Sequence, residues 1–126
     1  MPWCCEDEST PPSEEMLDWA RDGSALHVPG LWTWEILNSV GLVIKRKRIT
    51  ADQGRDFLVQ LATLNLKIAP PPQVSEFPRL HMLATIHQLT AYDVAYLDLA
   101  RRLSLPLATR DTDLRAAAIA EGIQIL

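Results

Sequence analysis

The chain has 126 residues, 48% of them apolar, which suits one compact domain with a real core and excludes a disordered tail. Its formal net charge of −4 excludes a general nucleic-acid coat, which would be basic, but not a metal-dependent enzyme whose site is acidic by necessity. No apolar run reaches the roughly eighteen residues that span a bilayer, and "MPWCCEDEST" lacks the basic and apolar regions of a signal peptide, so the expected location is the cytoplasm, away from membranes.

Cys4 and Cys5 are adjacent. Neighbours cannot form an ordinary structural bridge, and two thiols alone make no zinc site, so they read as reduced, partly buried thiols. Residues 13–21 ("SEEMLDWAR") predict a short helix with Ser13 as its cap, followed by a turn at Asp22-Gly23. Residues 25–29 ("ALHVP") are a short apolar strand closed by Pro29-Gly30. Over 31–47, Leu31, Trp32, Ile36, Leu37, Val40 and Val43/Ile44 keep helical spacing, with Glu35 and Asn38 on another face. Lys45, Arg46, Lys47 and Arg48 close that helix, where cations suit the dipole; they also form the one dense basic run that could contact phosphates.

Thr50 caps a helix over about 51–64, with Phe57, Leu58, Leu61 and Leu64 on its apolar stripe. Residues 66–70 are a strand ended by Pro70-Pro71-Pro72, and 76–88 are a helix. Thr90 caps the helix 91–103, residues 105–109 are an apolar strand, and 112–121 are an Ala-rich helix ended by Gly122. Residues 123–126 predict a last strand. Short apolar strands alternating with helices imply a three-layer α/β/α domain with a mainly parallel central sheet. Sites in such sheets form beyond the carboxyl ends of the strands.

Three acids stand at predicted helix starts: Glu35, Asp93 and Asp111. Glu35 and Asp111 each follow a strand and so sit at that edge. Asp93 follows a helix, and its place there is an inference. Gathered together, the three would require a cation, because crowded carboxylates otherwise repel and take up protons. Each also has a purely structural reading. Thr90-Ala91-Tyr92-Asp93 fits a Thr-x-x-Asp capping box, Asp111 fits a simple N-cap, and Glu35 fits a first-turn acid. Asp113 reads as a solvated first-turn acid or a further metal contact. Asn38, three residues after Glu35, could orient it, and Thr109 brings a hydroxyl near the same edge. His27 reads as a packed strand residue. His81 and His87 are six apart, not the four that would stack two ligands on one helix face. Tyr92 and Tyr96 read as packing residues.

With those residues in view, the chain resembles the PIN-domain ribonucleases, and among them the VapC-type toxins of toxin–antitoxin pairs. "LTAYDVAYLDLARRLSLPLATRDTDLRAAA" resembles the family's block in which Tyr-Asp opens a helix, a strand follows and an LAT-x-D sequence closes it. "VPGLWTWEILNSVGL" resembles the block carrying its glutamate and following Asn. The resemblance implies that Glu35, Asp93 and Asp111 bind Mg²⁺ or Mn²⁺, with Asp113 as a further candidate and Asn38 and Thr109 in support. It implies hydrolysis of single-stranded RNA, with Lys45–Arg48 as candidate RNA contacts, a VapB-like antitoxin partner and a homodimer.

The family's first strand ends in an acid, and the chain departs from it there. The reading expects residues 1–126 to be a PIN-like domain lacking that central strand and its Asp, with Asp7 and Glu8 as nearby acids that do not replace it and a true start upstream of Met1. It also keeps a second function open: a catalytically impaired PIN-like module that pairs with an antitoxin or with itself. Two other acid-site families fit poorly. A phosphoacceptor receiver needs paired acids after its first strand. A haloacid-dehalogenase-type phosphatase carries its Asp-x-Asp at the start of the domain, not at 111–113.

Overall fold

A computed structural model describes residues 23–126 and the backbone of Trp3–Cys5. The helix expected at 13–21, its Ser13 cap and the acids Asp7 and Glu8 lie outside the described residues, as do the side chains of Cys4 and Cys5. Strands β1 (Trp3–Cys5), β2 (Leu26–Pro29), β3 (Leu66–Ala69) and β4 (Leu107–Ala108) form one parallel sheet in the order β3-β2-β1-β4. The helices described are α1 (Leu31–Lys45), α2 (Ala51–Leu61), α3 (Phe77–His87), α4 (Ala91–Leu103) and α5 (Thr112–Ala120). A 3-10 turn over Val74–Glu76 leads into α3.

The centre of the sheet corrects one expectation. The sequence reading left that place without a strand, yet β1 fills it, with Cys4 opposite His27 on one side and Leu107 on the other. Three residues are too few to carry a period-two pattern; hydrogen bonding to neighbours on both edges makes them a strand. At the other end, 123–126 form a single bridge, Leu107 to Ile125, instead of the strand expected. Only two residues of β4 are extended, so there is little edge to pair with. Leu107 uses it fully, donating its N–H to Gln124 O at 2.8 Å and accepting from Leu126 N–H at 3.1 Å.

From β1 the chain steps to β2 and β3 in one direction, then returns to β4 on the far side of β1. Right-handed crossovers therefore place α1 and α2 on one face and α3, α4 and α5 on the other, as the expected three layers require. Helix α4 packs across β1, β2 and β4, while α1 lies against β2. The core between them holds Leu26, Val28, Trp32, Ile36, Leu97 and Leu107, all buried. Helix α4 is the best buried of the described helices. Val94, Tyr96, Leu97, Leu99 and Ala100 are all inside, and so are two acids, Asp93 and Asp98.

Asp98 is explained by its partners. It accepts from Arg79 Nη1 at 2.6 Å and from Arg102 Nε at 3.0 Å, which ties α3 to α4. A second tie joins α3 to the end of α5, where His87 Nε2 lies 2.8 Å from Glu121 Oε1. Helices α1 and α2 approach closely at Gly54, where an added Cβ would stand 2.6 Å from Ile44 Cδ1 and 3.1 Å from Val40 Cγ1. Gly54→Leu should therefore overpack that seam and lower stability by about 1–3 kcal/mol. Urea melts of the two proteins check it, and equal midpoints would mean the seam is loose. No helix among the described residues is long and apolar enough to cross a membrane.

Candidate active site

Glu35 enters from the second turn of α1, directly beyond β2. Asp93 sits in the first turn of α4. The two carboxylates come close enough for the charge of Asp93 to push the Glu35 carboxyl upward. The placement of Asp93 at this edge, which the sequence left to inference, follows from α4 packing across β1, β2 and β4, with Pro29 at the end of β2 and Ala91 and Tyr92 at the start of α4 lining one groove.

Asp93 is the most informative side chain of the molecule. It is 7% exposed, and its Oδ1 is a buried oxygen with no hydrogen-bond partner among the described residues. The capping-box reading accounts for only half of this region. Thr90 Oγ1 does accept from the Asp93 N–H at 3.2 Å, but no reciprocal bond returns from the Asp93 carboxylate. A buried carboxylate oxygen without a donor costs free energy that a fold normally avoids. Asp98, one turn further along the same helix, is the internal contrast: equally buried, and held by two guanidinium groups.

Tyr96 is the residue the sequence reading missed. It is 1% exposed, and its hydroxyl donates to Glu35 Oε1. It lies three residues after Asp93, so both project from one face of α4 toward Glu35. The signal was present: a buried tyrosine hydroxyl must find a partner, and a packing role alone would have suited phenylalanine as well.

Burial pushes the Glu35 carboxyl above its ordinary range, the Tyr96 hydrogen bond opposes this, and Asp93 adds to it. A carboxyl raised on folding contributes stability that is fully present below its unfolded value, 4.5, and is lost as pH rises through the folded value. In metal-free protein, Glu35→Gln should therefore match the parent near pH 4 and exceed it in melting temperature near pH 7. A gap that stays constant across that range would show that Glu35 carries no such penalty.

The third acid stands apart. Asp111 is the N-cap of α5, and its Oδ1 accepts from Leu114 N–H at 2.9 Å. Thr109, buried at the end of β4, accepts from the Asp111 N–H at 3.1 Å and so fixes the backbone there. Among the described residues no three His, Cys, Asp or Glu side chains converge as a metal cluster. Asp113 is exposed in the first turn of α5. Asn38 is exposed and makes no hydrogen bond to Glu35. Lys45, Arg46, Lys47 and Arg48 are all exposed at the far end of α1, about 15 Å along the helix from Glu35 at 1.5 Å per residue.

A parallel sheet with acids beyond its strand ends, two of them brought together by α1 and α4, defines the class. The chain belongs to the PIN domain family, whose model matches residues 8–120. Members of that family are generally metal-dependent nucleases, commonly acting on RNA. A solved structure, PAE2754 from Pyrobaculum aerophilum, matches with a TM-score of 0.62 at 22% identity, over 91% of this chain and 78% of that one. That likeness shows the shared fold. No curated protein matches the chain.

Proposed function

We propose that residues 1–126 form a PIN-like domain acting as a Mg²⁺- or Mn²⁺-dependent endoribonuclease on single-stranded RNA, the toxin of a toxin–antitoxin pair in the cytoplasm. The observation that carries the reading is the buried, partnerless Oδ1 of Asp93 beside Glu35. Two close carboxylates with an unused oxygen suit a hard divalent cation, which takes oxygen donors. Glu35 and Asp93 would hold the ion. Asp111, which keeps one carboxylate oxygen outside its cap bond, and exposed Asp113 are the further candidate ligands. When bound, such an ion lowers the pKa of a coordinated water and neutralises charge on a phosphate. Tyr96 fixes the Glu35 carboxylate, Thr109 fixes the turn that carries Asp111, and Asn38 is a candidate contact from solvent. Lys45–Arg48 would bind the RNA backbone away from the acids. A VapB-like antitoxin and a second copy of the chain are the protein partners proposed.

The test is cleavage of an end-labelled single-stranded RNA with Mn²⁺ and with EDTA. Cutting within the strand that requires the metal is the expected result; a strand left whole with Mn²⁺ would end the enzyme reading. A second reading has its own support in the absence of a three-acid cluster among the described residues. It makes the chain a catalytically impaired module that pairs with an antitoxin or with itself. Calorimetry separates the two, because the module predicts no Mn²⁺ binding even near millimolar metal.

A further inference from the structure

A groove of about 1420 Å³ opens between the carboxyl ends of β2 and β3 and the helices α3 and α4. None of Glu35, Asp93 and Asp111 lines it, but the residue just before each of the first two does. Trp34 is 75% exposed and Tyr92 is 66% exposed. Phe77, 51% exposed, adds a third aromatic side chain to the same groove. Its wall also carries Arg102, whose Nε is anchored on Asp98 while its two terminal nitrogens make no hydrogen bond among the described residues. The volume exceeds the roughly 300–1,000 Å³ of a small-molecule site, so it suits a chain of several units.

We propose that this groove takes the unpaired bases of single-stranded RNA, with Trp34 and Tyr92 as stacking platforms and Arg102 as a contact to the backbone. The proposal rests on the ribonuclease reading and names how that substrate is held. Stacking needs flat, exposed rings and unpaired bases, and a guanidinium fork with free N–H groups matches a phosphate. A docked protein helix would also cover apolar surface here. It would not account for a water-facing ring immediately beside each of the paired acids, together with a guanidinium whose two terminal nitrogens make no hydrogen bond among the described residues.

The experiment is binding of a dye-labelled eight-nucleotide oligo(A) in EDTA, which removes cleavage from the measurement, followed by anisotropy. Trp34→Ala and Tyr92→Ala should each weaken binding by about 5- to 100-fold, while Trp34→Phe and Tyr92→Phe keep most of it. The same strand in a duplex should bind much more weakly. Thermal melts confirm that the variants fold. If the parent binds and all four variants bind equally, the stacking role falls and the ribonuclease reading stands. If RNA affinity is intact in the alanine variants but capture of a helical partner peptide is lost, the groove is a protein-docking face. A parent that neither binds nor cuts RNA removes both readings.

Discussion

Asp93→Asn should lower Mn²⁺-dependent RNA cleavage by about 10³-fold while leaving the fold in place. An ion that neutralises developing charge on a phosphate is worth several kcal/mol, and each 1.36 kcal/mol is tenfold in rate. The substitution keeps the shape of the side chain and removes the charge that would hold the ion. Its effect on folding should run the other way. Asp93 is buried with one oxygen unpartnered and a second carboxylate nearby, so a neutral amide costs less to bury in the metal-free protein. The melting temperature without metal should therefore stay level or rise. Loss of cleavage with a preserved melt separates a ligand role from a structural one. Full cleavage in clean Asp93→Asn protein would end the assignment.

Tyr96→Phe should weaken Mn²⁺ binding by about 10- to 100-fold, the range seen when a group that orients a metal ligand is removed. The ring is inside the core and would remain there, so packing changes little. What is lost is one hydrogen bond to a carboxylate, worth about 1.5–3 kcal/mol where it is fully buried. Glu35 is only half-buried, and water can replace part of that bond, so the stability cost should lie at the low end. Calorimetry with Mn²⁺ reads the affinity, and a melt reads the fold. Unchanged affinity with lowered stability would make Tyr96 a packing residue that happens to touch Glu35.

The helices were largely legible because each carries its own signals. Thr90 opens α4, whose bounds match the expectation, and Thr50 forms a full capping box with Gln53. The short strands were harder. Nothing local in Trp-Cys-Cys reveals a central strand, since its partners are β2 and β4. The 3-10 turn at Val74–Glu76 hides behind the prolines, and the bridge at Ile125 depends on how much of β4 is extended. Of the site, residue types and helix starts could be read, but proximity could not. Glu35 and Asp93 meet only because α4 crosses the sheet. Asp111 shows the limit from the other side: the simple N-cap reading describes its Oδ1 fully.

The central place of β1 has a consequence for how the molecule is made. Cys4 pairs with Leu107, roughly a hundred residues later, so the sheet's two halves join through one of the most distant contacts available to the chain. Such pairing raises contact order and slows folding, since the loop must close before the contact rewards it. A nascent chain leaving the ribosome could form α1 and α2 early, but it could not seat α4 between both halves until β4 had emerged. The pairing of Glu35 with Asp93 should therefore appear late and all at once, and shortened nascent chains lacking β4 should give weaker hydrogen-exchange protection in β1 than the full chain.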